Sequence, residues 1–176
     1  MTPRKLLPMP VVRQVRPDPE GLPLWWRLLQ FRAPVVYELV EPYTWRTTIR
    51  GHDVALCLPA GFRSDLASTP RFSWLFGFRP DGVLMLAAWY HDFYYRHGFF
   101  LGPCHNRLFE GRGKRFADET LAQLAAETCG ARAPGRIAQA ALAAFGWPAW
   151  WGNSKYRQAY LRYGKFQLHG DWNDDD

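Results

Sequence analysis

The sequence predicts an α+β fold, with a small N-terminal antiparallel β-sheet followed by a helical half built around a buried central helix. Three observations carry this. Residues 35–59 hold three runs rich in β-branched and aromatic residues, VVYELVE, TWRTTIR and DVALCLP, with the texture of half-buried strands. Residues 83–97, VLMLAAWYHDFYYRH, are apolar around nearly the whole helical circumference, as in a helix enclosed by protein. Beyond residue 115 two alanine- and leucine-rich runs recur at helical spacing, divided at Gly130.

A chain of 176 residues is long enough for one domain with a real core. Nearly half of it is hydrophobic and 16% is aromatic, with nine Trp, which excludes a disordered chain. The organisation expected is a proline-rich extended arm over residues 1–24, a single α+β domain over 25–170 and an acidic tail, DWNDDD, over 171–176. Pro3, Pro8, Pro10, Pro17, Pro19 and Pro23 fix φ and remove donors, so the arm is extended and suited to lying on the body or on a partner.

From Leu24 to Phe31 a short apolar run with Trp25 and Trp26 reads as a helical turn. The three strands follow, with Gly51-His52 as the turn between the second and third. The stretch AGFRSDLASTPRFSWLFG, residues 60–77, is a loop by its Gly, Ser, Asp, Thr and Pro content. Gly98 ends the central helix, and the glycine-rich connection to Gly113 reads as a flap or a mobile segment. A helix is expected over about 115–129, closed by Gly130, and another opened by Pro134. WPAWWGNS interrupts the helices, and Ser154 caps a last helix, KYRQAYLRY.

The net charge of +6 suits phosphate-bearing partners such as anionic lipid. The basic residues are scattered, in small groups at Arg112, Lys114 and Arg115 and at Lys155, Arg157 and Arg162, which argues against a dedicated nucleic-acid face. Cys57, Cys104 and Cys129 form neither a disulfide framework nor a thiolate zinc site, and fit a reducing compartment. The sequence holds no stretch expected to span a membrane and no signal-peptide pattern at its start, so synthesis in a cytoplasm is expected.

The chemistry concentrates on the central helix. His91 and Tyr95 share one face, Asp92 lies about 100° further round, and Asp118 on the next helix is the expected partner of the imidazole. A buried imidazole beside carboxylates is costly unless each group is satisfied. His91 is then a candidate base oriented by Asp118, with Asp92 free to bind a hard cation. Asp65, in the preceding loop, is either a turn residue or a further ligand. Three readings stay open at this point: a hydrolytic centre, another metal or ligand site, and a purely structural network. An HD-type phosphohydrolase needs a further upstream histidine on a helix, and His52 lies in β-patterned sequence. His97, His105 and His169 read as exposed helix-end, loop or tail residues.

HDFYY followed by FADETL resembles the core of phospholipase A₂, especially the disulfide-free viral type. That resemblance implies His91 as general base, Asp92 as calcium ligand, Tyr95 as a supporting hydrogen bonder and Asp118 as the partner of the base. The family's glycine-rich calcium loop has FRPDG, residues 78–82, in its place, so Asp65 or the Asp81-Gly82 turn would have to complete the metal shell. A wider resemblance covers about residues 59–164. GFRSDLASTPR, AAWYHDFYY and FADETL are similar to the motifs of an uncharacterised family encoded by tailed bacteriophages and prophages. It implies a phage origin, and the proline-rich arm and abundant tryptophans suit an accessory protein docked on other virion proteins, at the tail or baseplate.

Overall fold

The computed structural model describes residues 9–15, 36–64, 84–130 and 132–153. It is an α+β architecture with two small antiparallel sheets ahead of four helices. Strand β1 (Val12–Val15) pairs with β2 (Val36–Leu39), which pairs in turn with β5 (Arg63–Ser64). Strand β3 (Tyr43–Ile49) forms a hairpin with β4 (His52–Leu58), and β6 (Phe100–Leu101) and β7 (Arg107–Leu108) extend that sheet. The expected single sheet is therefore two. Part of the proline-rich stretch supplies an edge strand to the first of them.

The β3–β4 hairpin turns on Arg50 and Gly51, whose φ values are 49° and 82°, with Ile49 opposite His52. Two consecutive positive φ angles match the right-handed twist of the flanking strands, so the turn sits one residue earlier than the sequence suggested. Inward positions on β3 are Tyr43, Trp45 and Ile49. On the other sheet, buried Glu38 is bridged by Arg13 and, at 2.7 Å, by Arg63, so one carboxylate of β2 ties together the strands on either side of it.

Helix α1 (Met85–His97) is buried on almost every side. The reason is visible in its aromatic residues, which between them meet several neighbouring elements. Tyr90 packs edge-on to Trp45 at 5.7 Å and donates its hydroxyl to the Leu56 carbonyl at 2.9 Å. Trp89 and Phe93 close on Phe62, while Tyr94 sits between Phe100 and Phe116. Gly98, in the left-handed region at φ 79°, ends the helix with its N–H on the Tyr94 carbonyl. The glycine-rich connection that follows is no open flap: β6, a 3-10 turn at Pro103–His105 and β7 fold it onto the sheet. The Tyr94 hydroxyl, donating to the Phe109 carbonyl at 2.7 Å, pins its far end.

Helix α2 (Gly113–Cys129) and helix α3 (Arg132–Phe145) pack closely. Gly135 makes this possible, since a Cβ there would lie 2.5 Å from the Ala122 carbonyl oxygen. WPAWWG does not interrupt the helical half but forms a short helix, α4 (Trp147–Gly152), with its proline in the first turn where a missing N–H costs nothing. The expected turn over residues 24–31, Asp65, the Asp81-Gly82 turn, the Ser154-capped helix, His169 and the acidic tail lie outside the described residues.

Candidate functional site

Helix α1 lays its His91 face against α2, and on α2 the residues one turn apart, Lys114 and Asp118, point back. The Asp118 side chain takes donors from both helices. Oδ1 accepts from His91 Nε2 at 3.0 Å and from the Tyr95 hydroxyl at 2.6 Å, and Oδ2 accepts from Lys114 Nζ at 2.6 Å. Lys114 Nζ also donates to the Leu142 carbonyl on α3 at 2.7 Å, so the cluster joins three helices. All four side chains are buried, Lys114 at 4% exposure. A lysine that deep needs a paired charge and further acceptors, and it has a carboxylate and a carbonyl.

Around this core the rings pack tightly. Tyr95 lies 4.0 Å from the His91 ring and 5.1 Å from Trp150, and the Trp147 ring covers the Lys114 ammonium at 5.1 Å. Helix α4 therefore roofs the cluster. It reaches this position through Gly146, where a Cβ would stand 2.6 Å from the Leu142 oxygen, 3.1 Å from the Tyr95 hydroxyl and 3.2 Å from Lys114.

Asp118 is held below the ordinary carboxylate value: burial pushes it up, but the hydrogen bonds from His91, Lys114 and Tyr95 outweigh that. It is thus a carboxylate that only accepts, and the hydrogen between it and His91 belongs to Nε2. Burial disfavours a charged His91, yet Asp118 and then Asp92 overcome it and raise the imidazole above its ordinary 6.5.

The second ring nitrogen faces Asp92. Nδ1 stands 3.9 Å from Asp92 Oδ1, beyond a direct hydrogen bond, and the other Asp92 oxygen accepts from the Ser64 hydroxyl at the end of β5. The expectation that Asp92 turns away from the imidazole is corrected: it lies at the free nitrogen, at the more open side of the cluster, with 14% of its side chain exposed. Here the first sheet meets α1, where Arg96 of the same helix donates to the Arg63 carbonyl.

The structure thus brings together His91, Tyr95 and Asp118, with Asp92 at the edge. Ser64 and Lys114 were not foreseen. Lys114 carried a signal, since it stands four residues before Asp118 on a helix, and Ser64 adjoins Asp65 in GFRSDLASTPR. His97 is no exposed helix end: it is buried at 3% among Phe62, Phe93 and Phe99. His105 is exposed as expected, and His52 opens β4 on the surface.

As a hydrolytic centre the arrangement offers a histidine with one nitrogen fixed by a buried carboxylate and the other available to take a proton. For calcium, the expected further ligands, Asp65 and the Asp81-Gly82 turn, lie outside the described residues. Calcium takes roughly six to eight oxygens, whereas no group of three or more His, Cys, Asp or Glu among the described residues could hold a metal ion. Asp92 brings one carboxylate, already bonded to Ser64. No helix among the described residues is long and apolar enough to cross a membrane.

The sequence profile of a family described as "Protein of unknown function (DUF1353)" matches residues 37–141, which span the first hairpin, α1, α2 and most of α3. No curated protein and no solved structure matches the chain.

Proposed function

We propose that this chain, which belongs to the DUF1353 family, is a phage-encoded, virion-associated accessory protein whose His91 centre hydrolyses an ester. The observation that supports the chemistry is the asymmetry of the imidazole, with Nε2–H fixed on Asp118 at 3.0 Å and Nδ1 turned toward the more exposed Asp92. The motifs GFRSDLASTPR, AAWYHDFYY and FADETL, similar to those of tailed-phage proteins, support the source.

In this reading neutral His91 takes a proton at Nδ1 from a water on the Asp92 side. The hydroxide attacks the ester carbonyl, and the imidazolium returns the proton to the departing alkoxide. Asp118 holds the tautomer and steadies the charge on the ring, and Lys114 and Tyr95 keep Asp118 in place. No step is assigned to calcium.

Because His91 is raised above 6.5, the base is free only at higher pH. Activity is expected to climb with pH through a midpoint above that value. The deciding test compares the parent with His91→Gln and Asp118→Asn for ester cleavage, with and without a calcium chelator, and for thermal stability. Cleavage lost in both variants, with His91→Gln still folded, supports the centre as catalytic.

A second reading is favoured by one observation: Asp118 accepts from three side-chain donors on two helices, and Lys114 carries the network on to α3. Such a network suits an assembly factor without catalysis, with the cluster locking three helices together. A parent without cleavage, and variants that unfold, support this reading. Mass spectrometry of purified virions tests the location, since absence from particles removes the virion role.

A further inference from the structure

The helical half ends in an apolar surface that the His91 centre touches only through the Trp147 ring over Lys114. On α3 the buried positions are Gly135 and Ala138, and the opposite face presents Arg136 and Ile137, the latter 54% exposed. Helix α4 follows directly in the chain, and there Trp147 and Trp151 lie with ring centroids 5.5 Å apart while 44% and 63% exposed. Exposed stacked tryptophans are expensive in water and mark a contact.

The charge on the same segment says what covers it. Residues 132–153 contain Arg132 and Arg136 and not one Asp, Glu or Lys, and both arginines are exposed. A second copy seated on this face would bring arginine toward arginine with no carboxylate from the segment to pair them. An anionic headgroup layer supplies the missing charge, and indole rings favour the boundary between headgroups and acyl chains. We propose that α3 and α4 form a docking surface for an anionic lipid bilayer, with Trp147, Trp151 and Ile137 entering the boundary and Arg132 and Arg136 meeting the headgroups. This stands apart from the proposed ester chemistry, because the positions tested below lie outside the His91 cluster.

The experiment is co-sedimentation of the full chain with vesicles of phosphatidylcholine mixed with phosphatidylserine, against vesicles of phosphatidylcholine alone. The expected result is binding to the mixed vesicles that weakens with added salt. The Arg132→Gln/Arg136→Gln variant should bind on the order of thirtyfold more weakly, since each surface arginine contributes about fivefold. Trp151→Ala, at an exposed position, should lose binding while keeping the parent's melting temperature. Ile137→Ser serves as a second apolar probe if Trp151→Ala is unstable. Equal binding to both vesicle types, no binding to either, or unchanged binding by the arginine variant overturns the proposal. A dimer in sedimentation velocity that Trp151→Ala dissociates also overturns it and assigns the face to a second copy.

Discussion

His97 makes stability depend on pH in a way that can be isolated. Its ring is enclosed by Phe62, Phe93 and Phe99, at centroid distances of 6.4, 4.4 and 5.9 Å. Burial above all, and the positive charge of Arg96 next, lower it from 6.5 to about 3. In the unfolded chain His97 takes a proton near 6.5, and in the folded protein it resists until about 3. Its contribution is therefore complete above the unfolded value and is lost as pH falls toward the folded one. At about 1.4 kcal/mol per pH unit, the loss reaches roughly 2 kcal/mol at about pH 5 and roughly 5 kcal/mol below about pH 3. His91 acts with the opposite sign, since its raised value contributes stability below 6.5 that is lost at higher pH. The whole-protein curve therefore mixes the two. A His97→Phe variant separates them, because it keeps an aromatic ring in the same cage and removes the titration at that site. Urea unfolding of parent and variant between about pH 7.5 and pH 5 should show the difference moving in the variant's favour by roughly 2 kcal/mol. Parallel curves would refute the argument, whatever the fixed cost of the substitution.

Asp118→Asn leaves the Lys114 ammonium buried without its carboxylate and should cost about 3–5 kcal/mol in chemical unfolding. Adding Lys114→Met to it should recover part of that loss, a coupling read by a double-mutant cycle. Gly135→Ala should destabilise although alanine is the better helix former by about 1 kcal/mol, because its Cβ would meet the Ala122 carbonyl at 2.5 Å. A variant at least as stable as the parent in the same assay would show that α2 and α3 can separate at little cost. Gly146→Ala, at φ −80°, carries no backbone strain, so any loss is steric, of about 1–3 kcal/mol. A melting temperature equal to the parent's would show that the roof of the cluster yields freely.

The central helix was legible because VLMLAAWYHDFYYRH leaves no polar face wide enough for solvent, and Asp118 because a buried imidazole needs a carboxylate from a neighbouring element. The first hairpin was legible from its β-branched and aromatic runs. Strands β6 and β7 were not, since two residues apiece give no periodicity and four nearby glycines read as loop. The strand at Val12–Val15 was hidden by the prolines around it, which describe the ends of a strand as well as an arm. Helix α4 was missed because a proline reads as a break unless its place in the first turn is known. Lys114 was passed over as one member of a basic surface group, and only packing against α3 shows that it lies inside.

The acceptor that α3 contributes to the His91 cluster is a main-chain atom, the Leu142 carbonyl. Nothing about a leucine side chain is needed to present it, so residue type at position 142 is under no demand from the polar cluster. An alanine at position 142 would report only the lost packing of the leucine side chain against the core, while the helix still anchors the ammonium. The constraint passes to Gly146, the residue that must leave room beside that oxygen. Among relatives of this chain, the trace of the third helix in the centre should therefore be a small residue four positions on, where no hydrogen bond to Lys114 is made by a side chain at all.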